Sequence, residues 1–169
     1  GTGFPGESAG ILPYYAKWNP INLATMSYGY GIAVTPLQLA QAYNVFASYG
    51  LKRPISMLKQ ETELEAERVM PERVAKQVIA MLETVTQRGG TGTRAQVPSY
   101  RVAGKTGTTN DARDVWFVGY TSTIVAGCYI GYDTPRSMGD GASGGGVCGP
   151  VFQEFMVEAV KKYGGGRFR

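Results

Sequence analysis

The stretch that most constrains this chain is Arg101-Val102-Ala103-Gly104-Lys105-Thr106-Gly107-Thr108-Thr109-Asn110. The run from Arg101 to Ala103 opens into Gly-Lys-Thr-Gly-Thr-Thr. That is the pattern of a β-strand with one cation, a row of hydroxyls and a glycine that leaves the backbone open to a ligand. Alternation along a strand puts Lys105 and Gly107 on one face and Thr106 and Thr108 on the other. An ammonium, O–H donors and free backbone N–H groups together suit a carboxylate. Taken alone, K-T-G is equally a Gly-Thr turn with a solvated lysine, because three-residue motifs recur by chance.

Composition narrows the chemistry. The chain has 169 residues, 43% of them apolar, enough for one domain or part of a larger one. Histidine is absent, which removes His-based triads and most zinc sites and leaves acid–base work to Lys, Asp, Glu, Tyr or Ser. The net charge of +4 comes from scattered basic residues with no basic run, so nucleic acid is not an expected partner, whereas a carboxylate-bearing substrate fits. Cys128 and Cys148 match no metal-ligand spacing. They either pair in an oxidising compartment or stay as two small buried residues. No stretch reaches the roughly 18 apolar residues of a membrane span, and no signal peptide is evident. The opening Gly1-Thr2-Gly3-Phe4-Pro5-Gly6 is a loop without an initiator methionine, as in a piece of a longer protein.

Residues 1–34 read as loop-rich, with Gly, Pro and Tyr interleaved, and Tyr28 and Tyr30 are expected to pack around a turn at Gly29. A helix follows with Thr35 as N-cap, Pro36 at its first position and Gln38 completing a capping box. Leu39, Tyr43, Phe46 and Ala47 form its apolar stripe, and Gly50 ends it. Leu51 to Met57 is expected to be extended, and Gln60 to Arg68 a solvated loop or hairpin tip. Pro71 opens a second helix with Val74, Val78, Leu82 and Val85 inward, closed by Arg88-Gly89-Gly90. Val115 to Tyr120 and Ile124 to Tyr132 are two strands joined too tightly to be anything but antiparallel neighbours. Trp116 is expected in the core. Asp133 to Gly149 is Gly-rich and expected to be flexible. Pro150 starts a last helix that buries Phe152, Phe155, Met156, Ala159, Val160 and Tyr163 and stops at Gly164. The sum is an α+β fold, an antiparallel sheet with helices packed on its faces.

The Lys105-Thr106-Gly107-Thr108 strand, the two strands and helix after it, Tyr28-Gly29-Tyr30-Gly31, the Val34–Tyr43 block and Gly90-Thr91-Gly92-Thr93 together resemble one family. It is the transpeptidase domain of penicillin-binding proteins, the serine acyltransferases that cross-link bacterial peptidoglycan. The family uses S-x-x-K, S-x-N and K-T-G, and only K-T-G stands here in its family context. The resemblance therefore implies the C-terminal part of a penicillin-binding, β-lactamase-like domain, with the nucleophile in a missing N-terminal part. Residues 1 to about 104 resemble class B septal division enzymes, as in Gly1-Thr2-Gly3-Phe4-Pro5-Gly6-Glu7. Residues 105–169 resemble bifunctional class A enzymes, as in Asp114-Val115-Trp116-Phe117-Val118-Gly119-Tyr120, which implies either a chain joined from two homologues near Gly104–Thr108 or unusual divergence within one natural protein. By the same resemblance, Lys105, Thr106 and Gly107 belong to the catalytic machinery and Thr108 and Thr109 bind substrate. The implied partners are peptidoglycan stem peptides and β-lactams, with no cofactor or metal. The implied setting is the periplasmic side of the bacterial inner membrane, in a membrane-anchored parent.

Three rivals are weighed against this. A Walker A loop would need glycine where Ser99 stands and a helix where the Val115 strand follows. A half-domain that binds a ligand or partner without turnover is consistent with the missing nucleophile. Ser56-Met57-Leu58-Lys59 spells S-x-x-K, but in a segment expected to be extended, where residues three apart face opposite sides.

Overall fold

The computed structural model describes residues 1–169. Its elements are α1 (Pro20–Met26), α2 (Pro36–Ala47), β1 (Leu51–Lys52), β2 (Glu67–Arg68), α3 (Glu72–Glu83), β3 (Ala103–Thr108), β4 (Asp114–Tyr120), β5 (Val125–Gly131) and α4 (Gly149–Tyr163). A π-turn, Gly144–Cys148, runs directly into α4. No helix is long and apolar enough to cross a membrane.

The centre is a three-stranded antiparallel sheet ordered β3-β4-β5. Lys105 lies opposite Val118, Thr106 opposite Phe117, and Phe117 opposite Cys128. Alternation then sorts the side chains. Val115 and Phe117 face α4, where Phe152 and Met156 close a core that also holds Val97, Val102 and Cys148. The Phe117 and Phe152 rings meet edge-on, centroids 4.8 Å apart. Each of these aromatics removes enough apolar surface to contribute about 2–3 kcal/mol. On the opposite face, Ala103 and Tyr120 pack with Ala47 of α2, Ile79 of α3 and Phe168 of the C-terminal tail. The α+β architecture expected from sequence is the one found: helices on both faces of an antiparallel sheet.

Local chemistry explains the helix starts. Thr35 Oγ1 accepts from Gln38 N–H at 3.1 Å and Gln38 Oε1 accepts from Thr35 N–H at 2.9 Å, the expected capping box. Asn19 and Asn22 make the same reciprocal pair ahead of Pro20. That cap starts α1 inside a region expected to be loop-rich. Gly164, at φ +74°, ends α4 as expected.

Several boundaries and faces differ from expectation. Helix α3 ends at Glu83, not at Arg88–Gly90, because the chain turns at Thr84–Thr86 and Val85 O takes the Gly92 N–H instead. Its buried line is Ala75, Ile79, Glu83, so Val74, Val78, Leu82 and Val85 are half-buried flanks rather than the centre. In α4, Phe155 is 59% and Tyr163 68% exposed; both point away from the sheet core. Only Leu51–Lys52 of the expected extended stretch is strand, paired with Glu67–Arg68 as a small hairpin. Trp116 is half-buried rather than core, with its ring 4.6 Å from that of Tyr129. The end of the expected flexible segment is instead packed: Gly144, Gly145 and Cys148 are buried. Tyr28 and Tyr30 do meet around Gly29, rings 5.7 Å apart, but both remain largely exposed.

Candidate active site

Strand β3 is an edge strand, bonded to β4 on one side only, so one row of its backbone groups faces outward. Lys105 is exposed, and its Nζ donates to Thr106 O at 2.8 Å. Thr106 turns to the other face, where its Oγ1 lies 2.8 Å from Thr91 Oγ1. Thr108 Oγ1 accepts the Gly144 N–H at 3.1 Å. A hydroxyl has one donor and two acceptor sites. With an amide already satisfying an acceptor site, the Thr108 O–H is free to donate to an anion. In the Thr91–Thr106 pair one proton serves the contact and the other is free in the same way. The alternation expected from sequence thus holds, with Lys105 and Gly107 on one face and Thr106 and Thr108 on the other.

Gly107 is where two backbones come together. A Cβ at Gly144 would lie 2.6 Å from Gly107 O and 3.0 Å from Gly107 N, so the π-turn lies directly on the strand. Ser143 Oγ caps this turn by accepting the Gly146 N–H at 3.1 Å, and Arg94 Nη1 donates to Gly146 O at 3.1 Å. Thr91, Arg94, Ser143 and Gly144 therefore tie the strand and the turn together; Gly90–Thr93 entered the sequence reading only as part of the resemblance, and none of the four was among the expected site residues. Their signal was the pair of Gly-rich runs around them, which pattern alone does not join.

Thr109 is placed differently from its neighbours. Its N–H donates to Asp114 O at 3.0 Å and its Oγ1 accepts the Asp114 N–H at 2.9 Å, which closes the β3–β4 turn. That turn carries Asp111 at φ 58° and Ala112 at φ 47°, two consecutive left-handed residues without the freedom of glycine. Met138 N–H donates to Ala112 O at 3.1 Å, so the Gly-rich segment before α4 is tied to the same turn. Between them lies a cleft of about 600 Å³ lined by Thr108, Thr109, Arg113, Arg136 and Asp140. Asp114 also accepts from the Tyr129 hydroxyl at 2.7 Å, and that bond holds the phenol pKa above its ordinary value.

Ser56 sits in an exposed loop. It donates to Leu58 O at 2.7 Å and accepts from Gln60 Nε2 at 2.6 Å, with no bond to Lys59. No helix positions that pair.

A three-stranded antiparallel sheet with K-T-G on its edge and helices on both faces is the fold this chain shares with a solved penicillin-binding protein transpeptidase domain. Residues 1–157 match the penicillin binding protein transpeptidase domain, and the chain belongs to that family. It is similar to the peptidoglycan D,D-transpeptidase FtsI of Escherichia coli K12, 37% identical over 163 aligned residues that cover 91% of this chain and 28% of FtsI. It is similar to the probable peptidoglycan D,D-transpeptidase PbpC of Pseudomonas aeruginosa, 36% identical over 173 residues, 94% of this chain and 30% of PbpC. The apo TP domain of Burkholderia pseudomallei penicillin-binding protein 3 superposes with a TM-score of 0.82 at 34% identity, over 96% of this chain and 52% of that one. The chain thus spans about 30% of the curated relatives and about half of the solved domain.

Proposed function

We propose that this chain forms one wall of the acyl-transfer cleft of a penicillin-binding peptidoglycan D,D-transpeptidase. The observation that carries the reading is the unpaired edge of β3, with Lys105 exposed beside it and the Thr106 and Thr108 hydroxyls each left with bonding capacity. A stem peptide ending in a carboxylate, or a β-lactam carrying one, adds to that edge as an antiparallel strand. Lys105 supplies positive potential for the carboxylate and takes part in proton transfer around the serine. The two hydroxyls donate to the carboxylate, and Gly107 keeps the strand slim. The Thr108 N–H serves as one of two oxyanion donors, a role worth about 3 kcal/mol or 10²–10³ in rate. Thr109 acts through the turn it closes, so its place in substrate binding is indirect.

The nucleophile belongs to the remaining part of the domain, which packs on the β5 edge and on the exposed Val151 and Phe155 of α4. The parent is membrane-anchored with this domain on the periplasmic side. A non-catalytic binding half-domain is the second reading for the isolated chain, favoured by the loop setting of Ser56.

The test is fluorescent-penicillin labelling of the complete parent and of its Lys105→Ala variant. Labelling of the parent at a serine outside these residues, slowed at least 100-fold by Lys105→Ala with the fold kept, is expected. An acylation rate within a few-fold of the parent removes Lys105 from the mechanism. A penicilloyl adduct on Ser56 of the isolated chain overturns the division of labour.

A further inference from the structure

The structure places both cysteines at one core, where β5 meets the π-turn: Cys148 is a member of it and Cys128 packs against it. Cys128 projects from β5 toward α4, opposite Phe117, and is half-buried against the core that contains Cys148. Cys148, the last residue of the π-turn, is fully buried, and its thiol points at Val115 O, 3.6 Å away. Cys128 lies near enough to that thiol to raise its pKa. We propose that Cys128 and Cys148 form a redox pair that closes to a disulfide in oxidising surroundings and staples the π-turn to β5.

The two sulfurs have different roles. Cys128 borders an apolar groove of about 340 Å³ between β5 and α4, which gives it access to solvent. Burial, with nearby Cys128 adding to it, pushes the Cys148 thiol up to about 12. Cys128 therefore attacks first: its thiolate breaks the S–S bond of a low-molecular-weight disulfide, forms a mixed disulfide and releases one thiolate. Cys148 then loses its proton to solvent and attacks the Cys128 sulfur, which releases the second thiolate. Two protein thiols and one external disulfide become one protein disulfide and two external thiols. The second step is intramolecular, so proximity offsets the small thiolate fraction at Cys148.

The consequence reaches the K-T-G strand. The stapled turn is the one whose Gly144 N–H bonds Thr108 Oγ1 and whose backbone lies on Gly107. Oxidation thus fixes the surface that holds the hydroxyl aimed at substrate.

The experiment treats the folded chain with glutathione disulfide and follows intact mass, thiol titre and peptide maps without reductant. The expected product is a monomer lighter by two hydrogen atoms, with a Cys128–Cys148 cross-linked peptide and slower amide exchange at Gly144 and Gly146. Cys148→Ser should stop at the mixed disulfide on Cys128, and Cys128→Ser should take up glutathione at least tenfold more slowly than that variant. Two persistent free thiols, glutathione on both cysteines, or only cross-linked dimers would overturn the proposal. So would a Cys128→Ser chain that reacts as fast as Cys148→Ser.

Discussion

Replacing Gly144 with alanine tests whether the π-turn and the K-T-G strand are one mechanical unit. Gly144 does not have a positive φ, so alanine carries no backbone penalty of the left-handed kind there. Its Cβ is the problem. It would meet Trp116 O and would lie 2.6 Å from Gly107 O, where ordinary contact begins at 3.4 Å, a shortfall of about 0.8 Å. Both obstructing atoms belong to the backbone of paired strands, Gly107 opposite Trp116, and cannot rotate aside. The turn must move instead, and a shift of that size takes the Gly144 N–H, now 3.1 Å from Thr108 Oγ1, out of hydrogen-bond range. Overpacking of 1–3 kcal/mol and one lost hydrogen bond together come to about 3 kcal/mol, or roughly 6–12 °C in Tm for a chain of this size. The control is Gly141→Ala, at φ +80° with no heavy atom within 4 Å of the added Cβ. It should cost only about 1 kcal/mol, the conformational penalty alone. The assay is urea and thermal unfolding followed by tryptophan fluorescence, with penicillin labelling in the parent as the functional readout. A Gly144→Ala melt that matches wild type, or lies no lower than that of Gly141→Ala, refutes the reasoning.

Two further outcomes follow from buried polar groups. Arg101 grips the Glu83 carboxylate with two bonds of 2.6 Å, while the Glu83 side chain is 7% and the Arg101 side chain 64% exposed. Arg101→Ala strands a buried carboxylate; discounted for the water that reaches this pair, the cost is about 2 kcal/mol by urea denaturation. A loss under about 0.5 kcal/mol would mean that solvent replaces the guanidinium. The Tyr120 hydroxyl is buried without a hydrogen-bond partner, and desolvation, with Tyr43 and Glu83 nearby, raises its pKa above the ordinary range. A phenol raised in the folded state contributes stability that is intact below about pH 10 and lost as pH climbs from there toward the folded value. Tyr120→Phe should leave stability at pH 8 unchanged or higher, and should flatten the alkaline decline; a loss above about 1 kcal/mol at pH 8 would reveal a missed partner for the hydroxyl.

What the sequence showed of the fold depended on the kind of signal. The start of helix α2 was legible to the residue because Thr35, Pro36 and Gln38 act locally; its end came at Ala47, a few residues before the expected Gly50. Strands β4 and β5 were legible because their apolar runs leave no room for a crossover. The K-T-G strand was legible as a strand, with Lys105 and Gly107 on one face and Thr106 and Thr108 on the other. What was missed depends on contacts distant in sequence. Thr91 meets Thr106 across 15 positions, and Gly144 meets Thr108 across 36. Glycine carries no hydrophobic pattern, so a turn buried by backbone-to-backbone approach looks in sequence like a flexible linker. The exposed Phe155 and Tyr163 have a related cause: helical spacing marks an apolar face, not what stands opposite it.

The sheet has two free edges, and they are not alike. An unpaired strand edge is a hazard unless something blunts or covers it. The β3 edge is blunted by chemistry, with an exposed lysine, threonine hydroxyls and a slim glycine backbone that suit water or a charged ligand that comes and goes. The β5 edge has Tyr129 and Ile130 beside the groove bordered by Val151 and Phe155, an apolar border on which water gains nothing. Both edges belong to one three-stranded sheet and are joined through β4, so a restraint on β5 is transmitted to β3. The proposed staple from β5 to the π-turn would join the β5 edge to the turn that lies on β3.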